Sequence, residues 1–166
     1  VATPSPWPLS APDPQDMSEL HFPTVAVIGA GTMGNGIAQV FASGGAQVLL
    51  VDTSAEALAG GQATIEKNLG RMVSKERISQ TEADAALARL QGAGELAAIT
   101  DQSLVIEAIV EREDVKTAVF AELDSITPPE AILASNTSTP AFPSRSWMSL
   151  CNWSQTSVVL PRNDTA

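Results

Sequence analysis

The 166-residue sequence contains few of the residues that form covalent or metal-held frameworks, and their scarcity excludes several kinds of protein. The single cysteine, Cys151, excludes an intramolecular disulfide and a cysteine-based zinc cluster, and no metal site is predicted. One cysteine is compatible with a reducing compartment, so we expect a cytoplasmic location. Histidine is equally scarce, since His21 is the only one in the sequence.

Basic residues are also few, because nine lysines and arginines stand against nineteen acidic residues and leave a formal net charge of −10. This charge argues against non-specific binding to nucleic acid or to an anionic membrane, and neither is predicted as a partner. The sequence has no apolar run of about 18 residues, so no membrane span is predicted, and its start does not read as a secretory signal. Apolar residues make up 44% of the chain, which is enough for one globular domain.

Both ends of the chain differ in composition from the middle. Residues 1–16 hold five of the eleven prolines, a density that blocks regular hydrogen bonding, so we expect a disordered leader ahead of a natural start at Met17. After Thr139 the sequence becomes rich in Trp, Ser and Pro and loses its periodicity. We therefore expect a folded domain over 17–139 and an irregular tail over 140–166 that takes no part in a sheet.

The most informative stretch is TVAVIGAGTMGNG, in which a short apolar run leads into the spacing G-x-G-x-x-G. In such a turn Gly29 permits the sharp reversal, Gly31 lets a pyrophosphate approach the backbone, and Gly34 lets the next helix pack on the strand. Thr32 and Met33 would add N–H groups at a helix start, where the dipole favours an anion. The motif predicts a dinucleotide site, although some glycine-rich turns with this spacing bind nothing.

An acidic residue follows at the distance that such a site requires. Asp52 ends a second apolar run, QVLLV, close to the offset of about 20 residues that dinucleotide-binding domains show. Its carboxylate can accept hydrogen bonds from both hydroxyls of the adenosine ribose, but it would face a 2′-phosphate as a like charge. The pattern therefore predicts NAD rather than NADP.

Strand and helix patterns alternate along the middle of the chain. Strands are predicted at 25–28, 47–51, 103–110 and 131–134, with a possible short strand at 96–99. Helices are predicted at 33–43, 55–73, 79–90 and 113–126. The first helix would carry Met33, Ile37, Val40 and Phe41 on one face, and Gly92 and Gly94 would break the third. This alternation predicts an α/β fold with a Rossmann-type, doubly wound, mostly parallel sheet and a ligand at the carboxyl ends of its strands.

The middle of the chain, over about residues 22–139, resembles the 3-hydroxyacyl-CoA dehydrogenase family in its short-chain 3-hydroxybutyryl-CoA form. The resemblance rests on VAVIGAGTMGNGIAQVFA, on the strand that ends in Asp52, on VIEAIVE with Lys116 beyond it, and on ASNTS at 134–138. It implies NAD-dependent oxidation of a 3-hydroxyacyl-CoA to a 3-oxoacyl-CoA in fatty-acid β-oxidation. It also implies that the substrate is an acyl-CoA and that the intact protein is a homodimer.

The resemblance also implies roles for individual residues. Glu111 and Lys116 would line the cofactor site near the nicotinamide, and Ser138 would hydrogen-bond there and to the substrate hydroxyl as the catalytic candidate. Asn136 lies in the same loop, where it either positions Ser138 or is only a turn residue. Lys75 lies where the family has a lysine near the coenzyme A phosphates, although a lysine also suits a helix C-terminus without a ligand.

The chain departs from the family pattern after Thr139. The family uses a histidine in an H-F-x-N-P-type segment as the base and a glutamate that orients it, followed by a helical C-terminal domain. Here His21 precedes the first strand and no glutamate follows Glu130. The chain as given is therefore predicted to bind NAD but not to oxidise a 3-hydroxyacyl-CoA substrate. The abrupt change in composition is what a reading-frame shift would produce.

Other interpretations remain open. A non-catalytic NAD-binding module would carry the same glycine turn, and so would a Rossmann oxidoreductase related to 6-phosphogluconate or imine reductases. The segments VIEAIVE and ASNTS count against the latter. Glu107 and Glu111 are four residues apart on a strand and its exit, and we do not expect them to form an acid–base pair.

Overall fold

The computed structural model describes residues 22–129 and 131–136 and the backbone of 157–158. The predicted leader, His21, Ser138 and most of the predicted tail lie outside the described residues, so the predictions made for them stay predictions.

The described chain forms one six-stranded sheet flanked by helices. The strands are β1 (Thr24–Ile28), β2 (Gln47–Val51), β3 (Leu90–Ala93), β4 (Leu104–Glu107), β5 (Ile132–Ser135) and β6 (Ser157–Val158). The α-helices are α1 (Thr32–Ser43), α2 (Ala55–Ser74), α3 (Gln80–Ala88) and α4 (Glu113–Ile126), and Leu96–Ala98 form a short 3-10 helix. The strand order is β3-β2-β1-β4-β5-β6, with every pair parallel except the antiparallel pair of β5 and β6.

Both faces of the sheet are covered, as parallel sheets require. Val25 and Val27 of β1 pack on one face against residues of α1, α2 and α3. Ala26 and Ile28, which alternate with them, pack on the other face against residues of α4. All four side chains are at most 4% exposed. The prediction of a doubly wound, mostly parallel α/β sheet is confirmed.

Helices α2 and α3 begin at side-chain caps. Ser54 caps α2 by accepting a hydrogen bond from the N–H of Ala57 at 3.1 Å. Ser79 and Glu82 form a reciprocal capping box at the start of α3. In both cases a short polar side chain satisfies N–H groups that the helix start leaves unpaired.

The third strand is not where the sequence predicts it. Residues 96–99, given above as a possible short strand, include the 3-10 helix instead, whereas β3 occupies Leu90–Ala93, beside β2. Gly92 does not simply break a helix, because it lies in β3 under the side chains of α2. A Cβ at Gly92 would be 2.9 Å from Nε2 of Gln62 and 3.1 Å from Leu58. A side chain at position 92 would therefore have to displace the ends of the Gln62 and Leu58 side chains, which glycine avoids.

The predicted apolar face of α1 is wrong in part. Ile37 and Phe41 are partly buried against the core, but Met33 and Val40 are 57% and 70% exposed. The buried face of α1 consists of small side chains, namely Gly34, Asn35, Ala38 and Ala42. These let the helix approach the sheet closely, so side-chain size rather than hydrophobicity marks its inner face.

The remaining differences concern strand ends and the tail. The strand predicted at 103–110 is shorter and ends at Glu107, while the strand predicted at 131–134 is shifted by one residue. Ser157–Val158 pair antiparallel with Ala134 and Ser135, so the expectation that 140–166 contributes nothing to the sheet is wrong for these two residues.

Candidate functional site

The glycine turn lies between β1 and α1 at the carboxyl edge of the sheet, where β1 is flanked by β2 and β4. Gly29 has a φ of +98°, which L side chains rarely adopt, and its N–H donates to the carbonyl of Val51 at 2.7 Å. A Cβ there would also lie 2.7 Å from the carbonyl oxygen of Ala108. Gly29 therefore joins all three central strands at the point where the strand order reverses, which is the ligand position of doubly wound sheets.

The other two glycines differ in what surrounds them. A Cβ on Gly34 would lie 1.7 Å from the carbonyl oxygen of Gly29, so only glycine lets α1 start this close to the turn. At Gly31 nothing lies within 4 Å of a Cβ position, and the φ of −66° is unstrained. The fold therefore requires glycine at position 34. At position 31 the fold would accept a side chain, and the lack of one leaves the backbone open to a ligand.

The N-terminus of α1 faces this open position. Gly31 is its N-cap and provides no side-chain cap, and its first turn contains no acidic residue. Thr32 and Met33, the two candidates from the sequence, are both exposed in this turn. Backbone N–H groups and the positive end of the helix dipole together suit a phosphate group.

Asp52 lies next to this turn, as predicted. Its Oδ2 accepts the N–H of Ala30 at 2.8 Å, and its Oδ1 accepts the N–H of Ser54 at 2.9 Å. A carboxylate has about four acceptor positions, so two remain for hydroxyl donors. The same side chain thus fixes the glycine turn and offers acceptors beside it.

Glu111 and Lys116 are brought together on the other side of β1, at the start of α4. Nζ of Lys116 lies 3.1 Å from Oε2 of Glu111 and 3.3 Å from Oε2 of Glu107. The side chains of Lys116 and Glu107 are 3% and 0% exposed, whereas that of Glu111 is 54% exposed. The ammonium group therefore links an interior carboxylate to one at the surface.

The carboxyl end of β5 is tied to the same group. The Oγ of Ser135 donates to Oε2 of Glu107 at 2.5 Å, and the N–H of Asn136 donates to the carbonyl of Glu107 at 2.8 Å. Asn136, a predicted site residue, therefore lies beside Glu107 and Lys116. Glu107 itself was not predicted as a site residue, although a glutamate inside the apolar run SLVIEAIV was the available signal.

An exposed ion pair marks the first turn of α4. The hydrogen-bonded Arg112 guanidinium holds the pKa of the Asp114 carboxyl below its ordinary value, and the Asp114 carboxylate in turn raises the pKa of Arg112. Both side chains are about two-thirds exposed, so the pair contributes little to stability.

Lys75 does not lie near the other predicted site residues at the carboxyl edge of the sheet. It is the exposed C-cap residue of α2, a helix of 20 residues that begins beside Asp52. At 1.5 Å per residue, α2 carries Lys75 about 30 Å from its start. Lys75 is thus placed apart from the residues at the carboxyl edge.

Two kinds of feature are lacking in the part of the chain that the structure describes. None of the described helices is long and apolar enough to span a membrane. Within the same residues, no group of three His, Cys, Asp or Glu side chains could hold a metal ion.

Comparison with known proteins identifies the domain. The family model described as "3-hydroxyacyl-CoA dehydrogenase, NAD binding domain" matches residues 24–143. A 3-hydroxybutyryl-CoA dehydrogenase of Bradyrhizobium diazoefficiens is 50% identical over 114 residues, which are 69% of this chain and 39% of that protein. A 3-hydroxyadipyl-CoA dehydrogenase of Escherichia coli is 44% identical over 119 residues, covering 72% of this chain and 25% of the relative.

Solved structures agree with this result. The crystal structure of a 3-hydroxybutyryl-CoA dehydrogenase from Escherichia coli K12 superposes with a TM-score of 0.70 and 45% identity, over 72% of this chain and 25% of that one. The chain spans about two-fifths or less of the length of these relatives. The glycine turn, the uncapped helix start and Asp52 fit NAD, the cofactor of the matched domain. The chain therefore belongs to the 3-hydroxyacyl-CoA dehydrogenase family and carries that family's NAD-binding domain.

Proposed function

We propose that this domain holds NAD for the oxidation of a 3-hydroxyacyl-CoA to a 3-oxoacyl-CoA, with a role in fatty-acid β-oxidation. The observation that carries the proposal is the contact between Asp52 and Ala30, because it sets a carboxylate beside the open backbone of the glycine turn. The family membership supports the reaction class, and the relatives named for it act on acyl-CoA compounds.

In this proposal the two halves of the cofactor lie on opposite sides of β1. The pyrophosphate rests on the N–H groups of Gly31, Thr32 and Met33, and Asp52 accepts hydrogen bonds from the adenosine ribose. Since β2 and β4 flank β1, the nicotinamide half extends over β4 and β5, towards Lys116 and Asn136. When bound, the oxidised nicotinamide supplies the hydride acceptor of the reaction.

The chain's own residues would orient the reactants. Glu111 and Lys116 would line the site of the nicotinamide half, with the half-exposed carboxylate of Glu111 towards the cofactor and the buried ammonium of Lys116 behind it. Ser138, two residues beyond Asn136, would donate to the substrate hydroxyl, and Lys75 would bind the coenzyme A phosphates through its positive charge. Loss of the hydroxyl proton needs a base, and we assign none within the 166 residues because His21 precedes β1.

Titration calorimetry on the 166-residue chain tests the proposal. We expect saturable binding of NAD and no formation of NADH from 3-hydroxybutyryl-CoA, because we assign no proton acceptor among these 166 residues. Absence of heat and saturation, on protein that melts cooperatively, would contradict the NAD site. Formation of NADH would show that the chain contains a base that we have not identified.

We also propose that the protein acts in the cytoplasm, and that it assembles as a homodimer where it carries the helical C-terminal domain of the intact family. The single cysteine supports the first, and the resemblance to the family supports the second. Cell fractionation and analytical ultracentrifugation test the two statements separately.

A further inference from the structure

The buried carboxylate of Glu107 contacts three separate elements around the proposed nicotinamide position. It lies at the end of β4 and is fully buried. Its Oε1 accepts the N–H of Ile109 at 2.8 Å, in the segment between β4 and α4. Its Oε2 accepts the Oγ of Ser135 at 2.5 Å and lies 3.3 Å from Nζ of Lys116. One side chain thus connects the exits of two strands with α4.

The burial of this group is costly unless each partner is present. Glu107 and Lys116 are the charged side chains among the buried described residues. Removing one member of a buried pair leaves the other charge uncompensated, and buried ion pairs add little net stability over apolar side chains of the same size. Stability alone therefore does not explain why charges stand at these two positions.

The position of Lys116 suggests what the pair does. Its buried ammonium group lies between buried Glu107 and half-exposed Glu111, so Glu107 fixes the positive charge that holds the Glu111 carboxylate at the carboxyl edge. The backbone carbonyl of Glu107 also accepts the N–H of Asn136. Both the ammonium group and the loop after β5 are therefore held by one residue.

We propose that Glu107 is a positioning residue for the nicotinamide half of NAD, acting through Lys116 and through the exit of β5. It would not touch the cofactor itself, because it is fully buried. The proposal rests on the proposed function, since it requires the cofactor to extend from Asp52 across β1. It leaves the adenosine half, on the far side of β1, independent of Glu107.

The test compares NAD with ADP, which contains only the adenosine and pyrophosphate part. We expect Glu107→Gln to weaken NAD binding roughly tenfold or more, the effect of about one charged hydrogen bond, and to leave ADP binding within about twofold. Calorimetry measures both ligands, and the change in NADH fluorescence on binding reports the nicotinamide environment. A purely structural role would weaken NAD and ADP equally, and that result would overturn the proposal.

Two further variants complete the design. Glu113→Gln removes an exposed charge from the first turn of α4, the helix that carries Lys116, and should leave the affinity for both ligands unchanged. If Glu107→Gln does not melt cooperatively, Ser135→Ala decides, because it keeps both charges and removes one hydrogen bond to Glu107. We expect a several-fold loss for NAD and none for ADP, and equal binding to the unaltered protein would overturn the proposal.

The outcomes also separate this proposal from the proposed function. If the unaltered chain binds neither NAD nor ADP, the proposed function fails. If the unaltered chain binds NAD and ADP, and the Glu107→Gln variant binds both with the same affinities, only the proposed role of Glu107 fails.

Discussion

The carboxylate of Asp52 accepts the backbone N–H of Ala30 at 2.8 Å, which ties the end of β2 to a turn 22 residues earlier in the chain. The side chain that would bind the ribose is therefore also the one that holds the glycine turn against β2. This double role follows from the parallel pairing of β1 and β2, which brings their carboxyl ends together.

Replacement of Asp52 by asparagine should weaken NAD binding. The amide nitrogen of asparagine cannot accept a hydrogen bond, so one of the N–H groups of Ala30 and Ser54 loses its partner and the ribose loses a charged acceptor. We expect the Kd for NAD to rise about tenfold or more, with a smaller change for NADP because the like-charge repulsion is gone. Calorimetry with both cofactors measures this. Asp84→Asn, the same change on exposed α3, is the control, and an equal loss there would contradict the assignment.

Replacement of Gly31 by alanine should separate binding from folding. The added methyl group meets no atom within 4 Å, so the free energy of unfolding should change by less than about 0.5 kcal/mol. It would, however, stand between the pyrophosphate and the backbone N–H groups, and we expect NAD affinity to fall by about tenfold or more. Urea denaturation and NAD titration measure the two effects. Unchanged affinity would place the pyrophosphate elsewhere.

Replacement of Gly34 by alanine should instead damage the fold. Its Cβ would lie 1.7 Å from the carbonyl oxygen of Gly29, so the first turn of α1 must move. We expect a loss of about 1–3 kcal/mol or more in the free energy of unfolding. Gly36→Ala in the same helix has open space around its Cβ and should gain up to about 1 kcal/mol. If the two variants had similar melting temperatures, the close contact at Gly34 would be wrong.

The capping box of α3 should make stability depend on pH. The backbone N–H of Ser79, and then its hydroxyl, lower the pKa of Glu82 from the ordinary 4.5. Because the pKa of Glu82 is lower in the folded than in the unfolded state, its carboxylate stabilises the fold above pH 4.5. This stabilisation disappears as the pH falls through the pKa that Glu82 has in the folded state. Glu82→Gln should therefore be less stable than the unaltered protein at neutral pH and should approach it in acid. Urea denaturation across this range measures the difference, with exposed Glu66→Gln as the control for losing one charge.

The long helices were the most predictable part of the fold. Helix α4 spans Glu113–Ile126 as predicted, because its acidic first turn and the prolines after it mark both ends in the sequence. Strand β3 was missed because Leu90–Ala93 contain no β-branched or aromatic residue, and its pairing with β2 decides its structure.

The candidate site was predictable where it depends on backbone shape. Gly29, Gly34 and Asp52 act through a turn and a strand end that adjoin in any parallel β1–β2 pair. The partners of Glu107 were not predictable, because Ser135 lies 28 residues away in the chain; its place inside the apolar run SLVIEAIV signals only that it is buried.

The end of α2 contains a residue whose replacement should stabilise the protein. Glu76 has a φ of 55°, and the N–H of Arg77 returns to the carbonyl of Met72, as in helix ends that usually carry glycine. A left-handed conformation costs an L residue about 1–2 kcal/mol in the folded state. Glycine avoids this cost, but it makes the unfolded chain more flexible, which lowers the free energy of unfolding by roughly 0.4–1 kcal/mol. We therefore expect Glu76→Gly to raise the free energy of unfolding by about 0.5–1 kcal/mol.

Urea denaturation of Glu76→Gly beside a matched variant tests this expectation. Glu66→Gly makes the same change at an exposed position within α2, where glycine should cost about 1 kcal/mol. The two substitutions should thus move stability in opposite directions, although both remove one negative charge from the same helical region. If Glu76→Gly destabilised the protein as Glu66→Gly does, residue 76 could not hold a left-handed conformation in solution, and the helix end would have to close in another way.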